Sequence, residues 1–283
     1  MFFSSERPLG LLIFAMLSIS AIAQHQTDSI IKIDREGQMV LRSYFTYDSN
    51  GYQTSVMHYT FNRKEQTWSG TYREEAVYDN DGRITSKKVS YWEKNAWVEM
   101  SRESNVFDSK GRRTLHDVRK WNRERNAWIG TECTKLEYNG LGLISSMSQM
   151  DWDEDDNDWA EDHRTVIEYN ENGLEKSRTE QKFNGSEWGN DTRSLYEYND
   201  KKKRSRVTSE KWSGNQWRPV EQTAITYLAQ SNGDNSVVKQ ISKYDESTGS
   251  FVDSERNTVV NDRHNNEILS KTERFKNGRW TIS

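Results

Sequence analysis

The chain has 283 residues, of which 33% are hydrophobic and 30% charged, and its formal net charge is -4. This balance excludes a strongly basic nucleic-acid-binding protein, and we expect no nucleic-acid partner. The composition approaches that of disordered chains, yet 11 Trp, 13 Tyr and 9 Phe are too many for a solvated coil. A thin β-sheet with little interior and many aromatic cross-strand contacts accommodates both facts.

The N-terminal residues have the pattern of a cleaved secretory signal. An apolar stretch runs from Leu9 to about Ile22, and Ala21-Ile22-Ala23 supplies a cleavage motif before Gln24. About 13 apolar residues are too few to cross a bilayer. We therefore expect residues 1–23 to be removed and residues 24–283 to form one exported domain. That domain would be secreted, periplasmic or on the outer cell surface, with no membrane span after cleavage.

A tandem repeat organises the rest of the chain. Each unit begins with an aromatic or large apolar residue, which we call position one, followed in most units by Asp or Asn. The pairs are Ile33-Asp34, Tyr47-Asp48, Tyr78-Asp79, Phe107-Asp108, Tyr138-Asn139, Tyr169-Asn170, Tyr198-Asn199, Tyr227-Leu228 and Val260-Asn261. The steps from Tyr47 to Tyr227 are 31, 29, 31, 31, 29 and 29 residues. Such a period is typical of repeat architectures.

Glycine follows position one by four residues in most units, as in Gly51 and Gly82. Asp at the start of a type I turn accepts hydrogen bonds from the backbone ahead of it, and Gly adopts positive φ at little cost. Each motif therefore predicts a tight hairpin turn. Lys202 occupies the glycine slot in one unit, and a left-handed lysine costs about 1 kcal/mol. We expect that turn to be altered locally.

A second aromatic residue follows position one by 14 residues, and its partner comes after four or six intervening residues. A turn between the two would set them opposite each other on adjacent strands. The number of residues between the two aromatics differs by two from unit to unit and never by one. This difference keeps every later side chain on its own face of a sheet. The pairs are Phe61/Trp68, Trp92/Trp97, Trp121/Trp128, Trp152/Trp159, Phe183/Trp188 and Trp212/Trp217.

These spacings predict an all-β fold, an antiparallel meander built from tandem β-hairpins of about 30 residues. Residues from Gln38 to Phe275 provide about 16 strands. We call the second strand of each hairpin the return strand. In the return strand that begins near Trp97, strict alternation sets Trp97 and Ser101 on one face and Met100 and Arg102 on the other. Neither face is cleanly apolar, so we expect a single-layer or coiled sheet. These patterns fit an open, a coiled or a closed sheet.

The repeated motifs resemble the tyrosine-aspartate (YD, or RHS-like) repeats of bacterial surface proteins. The likeness covers about residues 33–280, and the Trp pair with its longer period is similar to secreted tandem repeats of unknown function in Gram-negative gut bacteria. The resemblance implies an exported β-repeat protein and supplies no catalytic residues. The motifs that carry it are Tyr47-Asp48-Ser49-Asn50-Gly51, Tyr78-Asp79-Asn80-Asp81-Gly82 and Phe107-Asp108-Ser109-Lys110-Gly111.

Signals for metal or nucleophilic chemistry are weak. Asp151, Asp153 and Asp155 alternate as at the start of a calcium loop, but Asp156 stands where that loop requires Gly, which favours a solvated tip. The lone Cys133 excludes an intrachain disulfide and a cysteine-based zinc site. The histidines share no metal-ligand spacing. We expect no metal, no cofactor and no catalytic residue, and therefore no enzyme.

Two stretches suggest binding. The basic run from Lys201 to Arg204, with Arg206, could hold an anionic polysaccharide or a membrane surface, although a soluble turn is favoured. The tryptophans at the hairpin tips either pin each hairpin, which is favoured, or present flat faces to sugar rings. These candidate ligand-binding residues are Trp92, Trp97, Trp121, Trp128, Trp152, Trp159, Trp188, Trp212 and Trp217.

The sequence thus favours an exported, non-enzymatic β-repeat scaffold or adhesion protein of the cell surface or periplasm. The alternative is a carbohydrate-binding repeat module that uses rows of Trp and Tyr. The expected partners are glycans or other surface proteins.

Overall fold

The computed structural model of the protein describes residues 26–229 and 233–283, so the predicted signal at residues 1–23 lies outside the described residues. Every regular element in these ranges is a β-strand. The strands are β1 (Ser29–Ile33), β2 (Met39–Tyr47), β3 (Gln53–Asn62), β4 (Thr67–Tyr78), β5 (Ile84–Glu93), β6 (Ala96–Phe107), β7 (Arg113–Asn122), β8 (Ala127–Tyr138), β9 (Ile144–Asp153), β10 (Asp158–Tyr169), β11 (Glu175–Phe183), β12 (Trp188–Tyr198), β13 (Arg204–Ser213), β14 (Gln216–Ala229), β15 (Asn235–Asp245), β16 (Ser250–Asn261), β17 (Glu267–Lys276) and β18 (Arg279–Ile282).

The strands form one antiparallel sheet in which each strand pairs with the next along the chain. Within the described ranges, β1 pairs only with β2 and β18 only with β17, so the sheet is open. Strands contact mainly their sequence neighbours, which makes a single layer. The predicted all-β meander of tandem hairpins is confirmed. The expected strands correspond to β2–β17, and β1 and β18 extend the sheet at either end.

The turns alternate between two margins of the sheet. Turns from an even-numbered strand to the next odd-numbered strand carry the Tyr-Asp motifs and form what we call the tyrosine margin. Turns from an odd-numbered to an even-numbered strand form the tryptophan margin, and the Ile33-Asp34 turn between β1 and β2 lies there, unlike the other motifs. At the tyrosine margin, the backbone N–H of Asp79 donates to the carbonyl of Arg83 at 3.0 Å and that of Gly82 to the carbonyl of Asp79 at 3.1 Å. Gly82 has φ 77°, as the motif predicted.

Lys202 occupies the glycine slot without altering its turn. Its φ is 57°, and its N–H donates to the carbonyl of Asn199 at 2.8 Å. The N–H of Asn199 donates to the carbonyl of Lys203 at 2.9 Å, as in the glycine turns. The expected alteration is wrong because the Asn199 side chain also accepts from the backbone of Lys201 and Lys203 at 3.0 Å each, which holds the left-handed residue in place.

The last turn at the tyrosine margin begins one residue later than Val260-Asn261 suggested. Val260 still pairs with Leu269 inside the sheet. The N–H of Asp262 donates to the carbonyl of Asn266 at 2.8 Å, and Asn265 takes the left-handed position with φ 65°. The sequence assignment was wrong because the turn is fixed by its Asp and by its left-handed residue, and not by the apolar residue before them.

A β-bulge in each even-numbered strand from β4 to β16 changes which side chains share a face. Between β5 and β6, Val89 pairs with Ser101 and Ser90 with Glu99, so Met100 is an extra residue. The strict alternation expected for this strand is wrong, because the bulge inverts the parity and puts Arg102 on the face of Trp97. The same one-residue shift occurs in β4, β8, β10, β12, β14 and β16.

The sheet has little interior. Among the described residues, the buried apolar side chains are Val56, Ala76, Cys133 and Ile167, and most other buried side chains are polar, such as Ser90. A single layer leaves both faces in contact with solvent, which explains the low hydrophobic content. Stability therefore comes from the backbone ladder and from cross-strand side-chain pairs.

Candidate functional site

The paired aromatic residues meet across each hairpin at the tryptophan margin. Trp92 pairs directly with Trp97, and their ring centroids are 5.2 Å apart at an interplanar angle of 75°. Edge-to-face contacts of this kind stabilise cross-strand pairs. The other predicted residues behave alike, with centroid distances of 5.0 to 5.5 Å: Trp121/Trp128, Trp152/Trp159, Trp212/Trp217 and Phe183/Trp188. The structure therefore brings every predicted tryptophan to one margin.

These rings also lie on one face, which we call the tryptophan face. Arg102 shares this face with Trp97 because of the bulge, and it pairs with Arg119 of β7. Side chains two residues apart in a strand lie on the same face, so Trp121 lies on the face of Arg119. Each hairpin is paired with the next in the same way, so the paired aromatic rings of successive hairpins lie on one face. The opposite face carries residues such as Tyr91, which is 47% exposed.

An arginine of one hairpin covers an indole of the next. The guanidinium carbon of Arg102 lies 3.7 Å from the ring centroid of Trp128, within the range of cation–π attraction. Equivalent contacts at 4.4 to 5.4 Å recur along the sheet, and we call the set the arginine ladder. Its other members are Arg42 over Trp68, Arg73 over Trp97, Arg164 over Trp188, Arg193 over Trp217 and Arg256 over Trp280.

Sequence reasoning missed this ladder, although the signal was present. The arginines stand five residues before position one, as Arg73 does before Tyr78 and Arg102 before Phe107. Comparing residues at the repeat period would have found the column. Strict alternation would still have placed the column on the wrong face, since it omits the bulge.

Two units lack the ladder arginine, with Cys133 and Gln222 in its place, and the unit of Cys133 uses other contacts. Cys133 occupies the repeat position at which most units have the ladder arginine. Burial raises the pKa of its thiol to about 11. The indole N–H of Trp159 instead donates to the carboxylate of Asp117 at 3.0 Å. Arg119 lies 5.1 Å from the ring centroid of Trp152. The aromatic row therefore continues through this unit with a different set of polar partners.

Two strand glycines make room for the indoles. A Cβ on Gly130 would lie 2.3 Å from an atom of Trp152 and 2.4 Å from one of Trp159. A Cβ on Gly70 would lie 2.9 Å from Trp92. Because real Cβ atoms do not approach this closely, each glycine lets the next aromatic pair pack against the preceding strand.

Carboxylates pair with four of the six ladder arginines. Arg193 pairs with Glu210 at 2.5 Å and Arg256 with Glu273 at 2.8 Å. Hydrogen bonds from Lys271 and Arg256 lower the pKa of Glu273. All described tryptophans are half-buried. The tryptophan face therefore offers indole edges that alternate with guanidinium donors, and ligand binding by these residues stays a prediction.

The acidic stretch forms the tip between β9 and β10. The carboxylate of Asp153 accepts from the backbone N–H of Asp155 at 2.9 Å and of Asp156 at 3.2 Å, so it caps its own turn. Glu154 pairs with Arg125 of the neighbouring tip. Among the described residues, no group of His, Cys, Asp and Glu is arranged to hold a metal ion.

The basic run is largely engaged by neighbouring strands. Lys203 Nζ lies 4.8 Å from the Tyr227 ring centroid. Arg204 pairs with Glu175 at 2.8 Å, and Arg206 with a glutamate of the preceding strand at 2.9 Å. Lys201 and Lys202 point into solvent at the tyrosine margin.

The cavities found in the described part are shallow and polar. One of about 190 Å³ lies beside the arginine ladder and is lined by Lys88, Arg102, Asp117 and Arg119 together with serines of neighbouring strands. Another of about 510 Å³ lies at the tyrosine margin between Asn170 and Lys202. Neither encloses a substrate-sized volume away from water, as most small-molecule sites do.

Comparisons with known proteins yield structural likenesses only. No family model matches the chain, and no curated protein matches it. A protein of unknown function from Bacteroides fragilis is 16% identical over 43% of this chain and 88% of its own, with a TM-score of 0.37. A DUF3836 family protein from Parabacteroides distasonis is 18% identical over 36% of this chain and 92% of its own, with a TM-score of 0.28. A porin-like protein from Bacteroides uniformis is 11% identical over 89% of this chain and 93% of its own, with a TM-score of 0.27.

These scores transfer no function to the chain, and the likeness to tyrosine-aspartate repeats rests on the motifs alone. The described residues include no helix that could span a membrane.

Proposed function

We propose that the protein is an exported, non-enzymatic scaffold or adhesion element of the cell surface or periplasm. The observation that carries this proposal is the packing of the tryptophan face, in which Arg102 over Trp128 and its equivalents join most hairpins to the next. Repeat proteins built from such nearest-neighbour contacts present extended binding surfaces. An open single layer exposes both faces along its whole length.

The electrostatics of the described carboxyl groups support a non-enzymatic role. The carboxyl groups with shifted pKa values, such as Asp79, Asp108 and Glu273, are all shifted downward by hydrogen bonds. They stay ionised near neutral pH and cannot act as general acids there. Proton-donating carboxyl groups in hydrolases have raised pKa values, which come from enclosed apolar surroundings.

A second candidate function is carbohydrate binding. The observation that favours it is the repetition of half-buried indole pairs on one face, about 10 Å apart from hairpin to hairpin at the usual strand spacing. Aromatic contacts repeated along a chain would bind a polysaccharide with avidity from individually weak sites. Guanidinium groups of the arginine ladder would favour an acidic sugar.

A glycan array separates the two functions. The variants Trp92→Ala and Trp212→Ala remove an indole from two distant tips, and Tyr91→Ala is the matched control because Tyr91 lies beside Trp92 on the opposite face. Binding that is lost in the tryptophan variants and kept in Tyr91→Ala, with folding intact, would establish carbohydrate binding. A blank array, with capture of a surface protein by the intact chain, would establish the scaffold or adhesion role.

Export has its own test. Expression of the full chain in a Gram-negative host should yield a product that begins at Gln24, which N-terminal sequencing or intact mass would show. A product that retains residues 1–23 and stays in the cytoplasm would contradict the proposal.

A further inference from the structure

The outer edge of β1 is apolar and open. Within the described ranges β1 pairs only with β2, and its side chains Ile30, Ile31 and Ile33 are 49%, 51% and 58% exposed. Natural edge strands are protected by several charges, by proline or by a covering segment. The strand β1 carries one charge, Lys32, and no proline. Such an edge is a template for another strand.

The backbone of β1 shows which groups an added strand would meet. The N–H of Phe45 in β2 donates to the carbonyl of Asp28 at 2.9 Å, so Asp28 directs its backbone groups toward β2. Backbone groups alternate along an antiparallel strand. Ser29 and Ile31 therefore direct their N–H and C=O groups outward, where an incoming antiparallel strand can bond to them.

The charges of this edge complement each other across a two-fold axis. If two β1 strands pair antiparallel with Ile30 at the centre, Ser29 of one copy faces Ile31 of the other, which matches the outward backbone groups. Asp28 then faces Lys32 of the second copy, and the symmetry repeats this ion pair. Both side chains are exposed, and Lys32 has no ion pair within the described residues. Centring the pairing on Ile31 would instead set Asp28 against Asp34.

We propose that two copies of the mature chain pair through their β1 edges as an isologous antiparallel dimer, which doubles the sheet. The added strand belongs to a second copy of this chain, because Asp28 and Lys32 of one edge match Lys32 and Asp28 of the other. A two-fold axis normal to the sheet keeps both tryptophan faces on the same side, so the dimer presents a longer surface to a repetitive ligand. The inference rests on the proposed function in one respect, since it needs residues 1–23 to be removed.

Charge reversal tests the pairing in the chain of residues 24–283. Sedimentation velocity should show a dimer for this chain, and Lys32→Asp and Asp28→Lys should each weaken dimerisation on the order of tenfold. The double variant Asp28→Lys/Lys32→Asp should restore it, because the pairs re-form with exchanged signs. Lys110→Asp, at an exposed turn, is the charge control and should leave the dimer unchanged. A monomeric starting chain, or a double variant no better than the single ones, would overturn the proposal.

Cross-linking tests the register. Residues at position 30 of the two copies form a non-hydrogen-bonded pair with Cα atoms about 4.5 Å apart, which a disulfide can bridge. Ile30→Cys should therefore give a covalent dimer on oxidation, and Ile31→Cys should not. Native Cys133 is buried and serves as the unmodified background. Equal cross-linking of both variants would reject the register and with it the charge argument. The dimerisation experiments use a chain that lacks residues 1–23 from the start. A failed export test would therefore leave their interpretation unchanged.

Discussion

Arg102 in β6 lies with its guanidinium carbon 3.7 Å from the ring centroid of Trp128 in β8, so one side chain joins two consecutive hairpins. The same guanidinium donates to Glu99 at 2.9 Å, which fixes its orientation. Since the contact runs between units, it stabilises the interface between repeats.

Removing this guanidinium should weaken the protein. We expect Arg102→Ala to lower the free energy of unfolding by about 1 kcal/mol, because a cation–π contact and the packing of the side-chain stem are lost. Urea denaturation measures the change. Arg113→Ala is the matched control, since Arg113 is exposed and its side chain has no ring contact or ion pair in the described part. Equal losses in both variants would contradict a specific role for the ladder.

Gly130 should not tolerate a side chain. Its added Cβ would lie 2.3 Å from Trp152, so Gly130→Ala should cost about 1 to 3 kcal/mol through overpacking. Gly140→Ala is the control, because nothing lies within 4 Å of the Cβ position there. Thermal unfolding of both variants checks the difference. A Gly130→Ala variant as stable as the starting protein would show that the aromatic row is packed more loosely than described.

Much of the fold could be predicted from the sequence because the relevant signals are local. Asp79 and Gly82 define a turn by themselves, and the spacing of Trp92 and Trp97 defines a hairpin. The bulge at Met100 could not be predicted in this way, since no residue type marks it. The contact of Arg102 with Trp128 depends on that bulge and on pairing between units, so the ladder emerged only from the structure.

Tyrosine hydroxyls at the tyrosine margin should stabilise each hairpin, because they bond the end of its second strand to the start of its first. Tyr138 donates from its hydroxyl to the carbonyl of Arg113 at 2.7 Å, and Tyr78 bonds in the same way to Gln53 at 2.9 Å. We expect Tyr138→Phe to cost about 1 kcal/mol. Phe107 occupies the equivalent place without a hydroxyl, so Phe107→Tyr should stabilise the protein by a similar amount. Urea midpoints measure both changes, and shifts of the same sign would contradict the shared role.

The turn carboxylates should make stability depend on acid. Hydrogen bonds from Arg112 lower the pKa of Asp108 from 3.8 to about 2, and the pKa of Asp79 and Asp262 is also lowered. A carboxyl with a lowered folded pKa contributes stability that is present above its unfolded pKa and is lost as the pH falls through its folded pKa. Stability should therefore fall from about pH 4 toward pH 2.

Asp108→Asn isolates this effect. Asparagine keeps the turn's hydrogen-bond acceptor, as Asn139 does in the next unit, where its side chain accepts from the backbone of Leu141 at 2.9 Å. The variant should lose stability at neutral pH and show a shallower decline below pH 4. Melting temperatures measured across the acid range check both features. An unchanged acid slope would show that this carboxylate does not contribute to it.

The most direct measurement of the central claim is a set of nuclear Overhauser contacts among labelled side chains of Trp121, Trp128 and Arg102. The tandem-hairpin sheet with its arginine ladder predicts cross-peaks between the two indoles and between Trp128 and the Arg102 side chain. The absence of contact between the indoles, or a Trp128 close to a strand far along the chain instead of to Arg102, would contradict it.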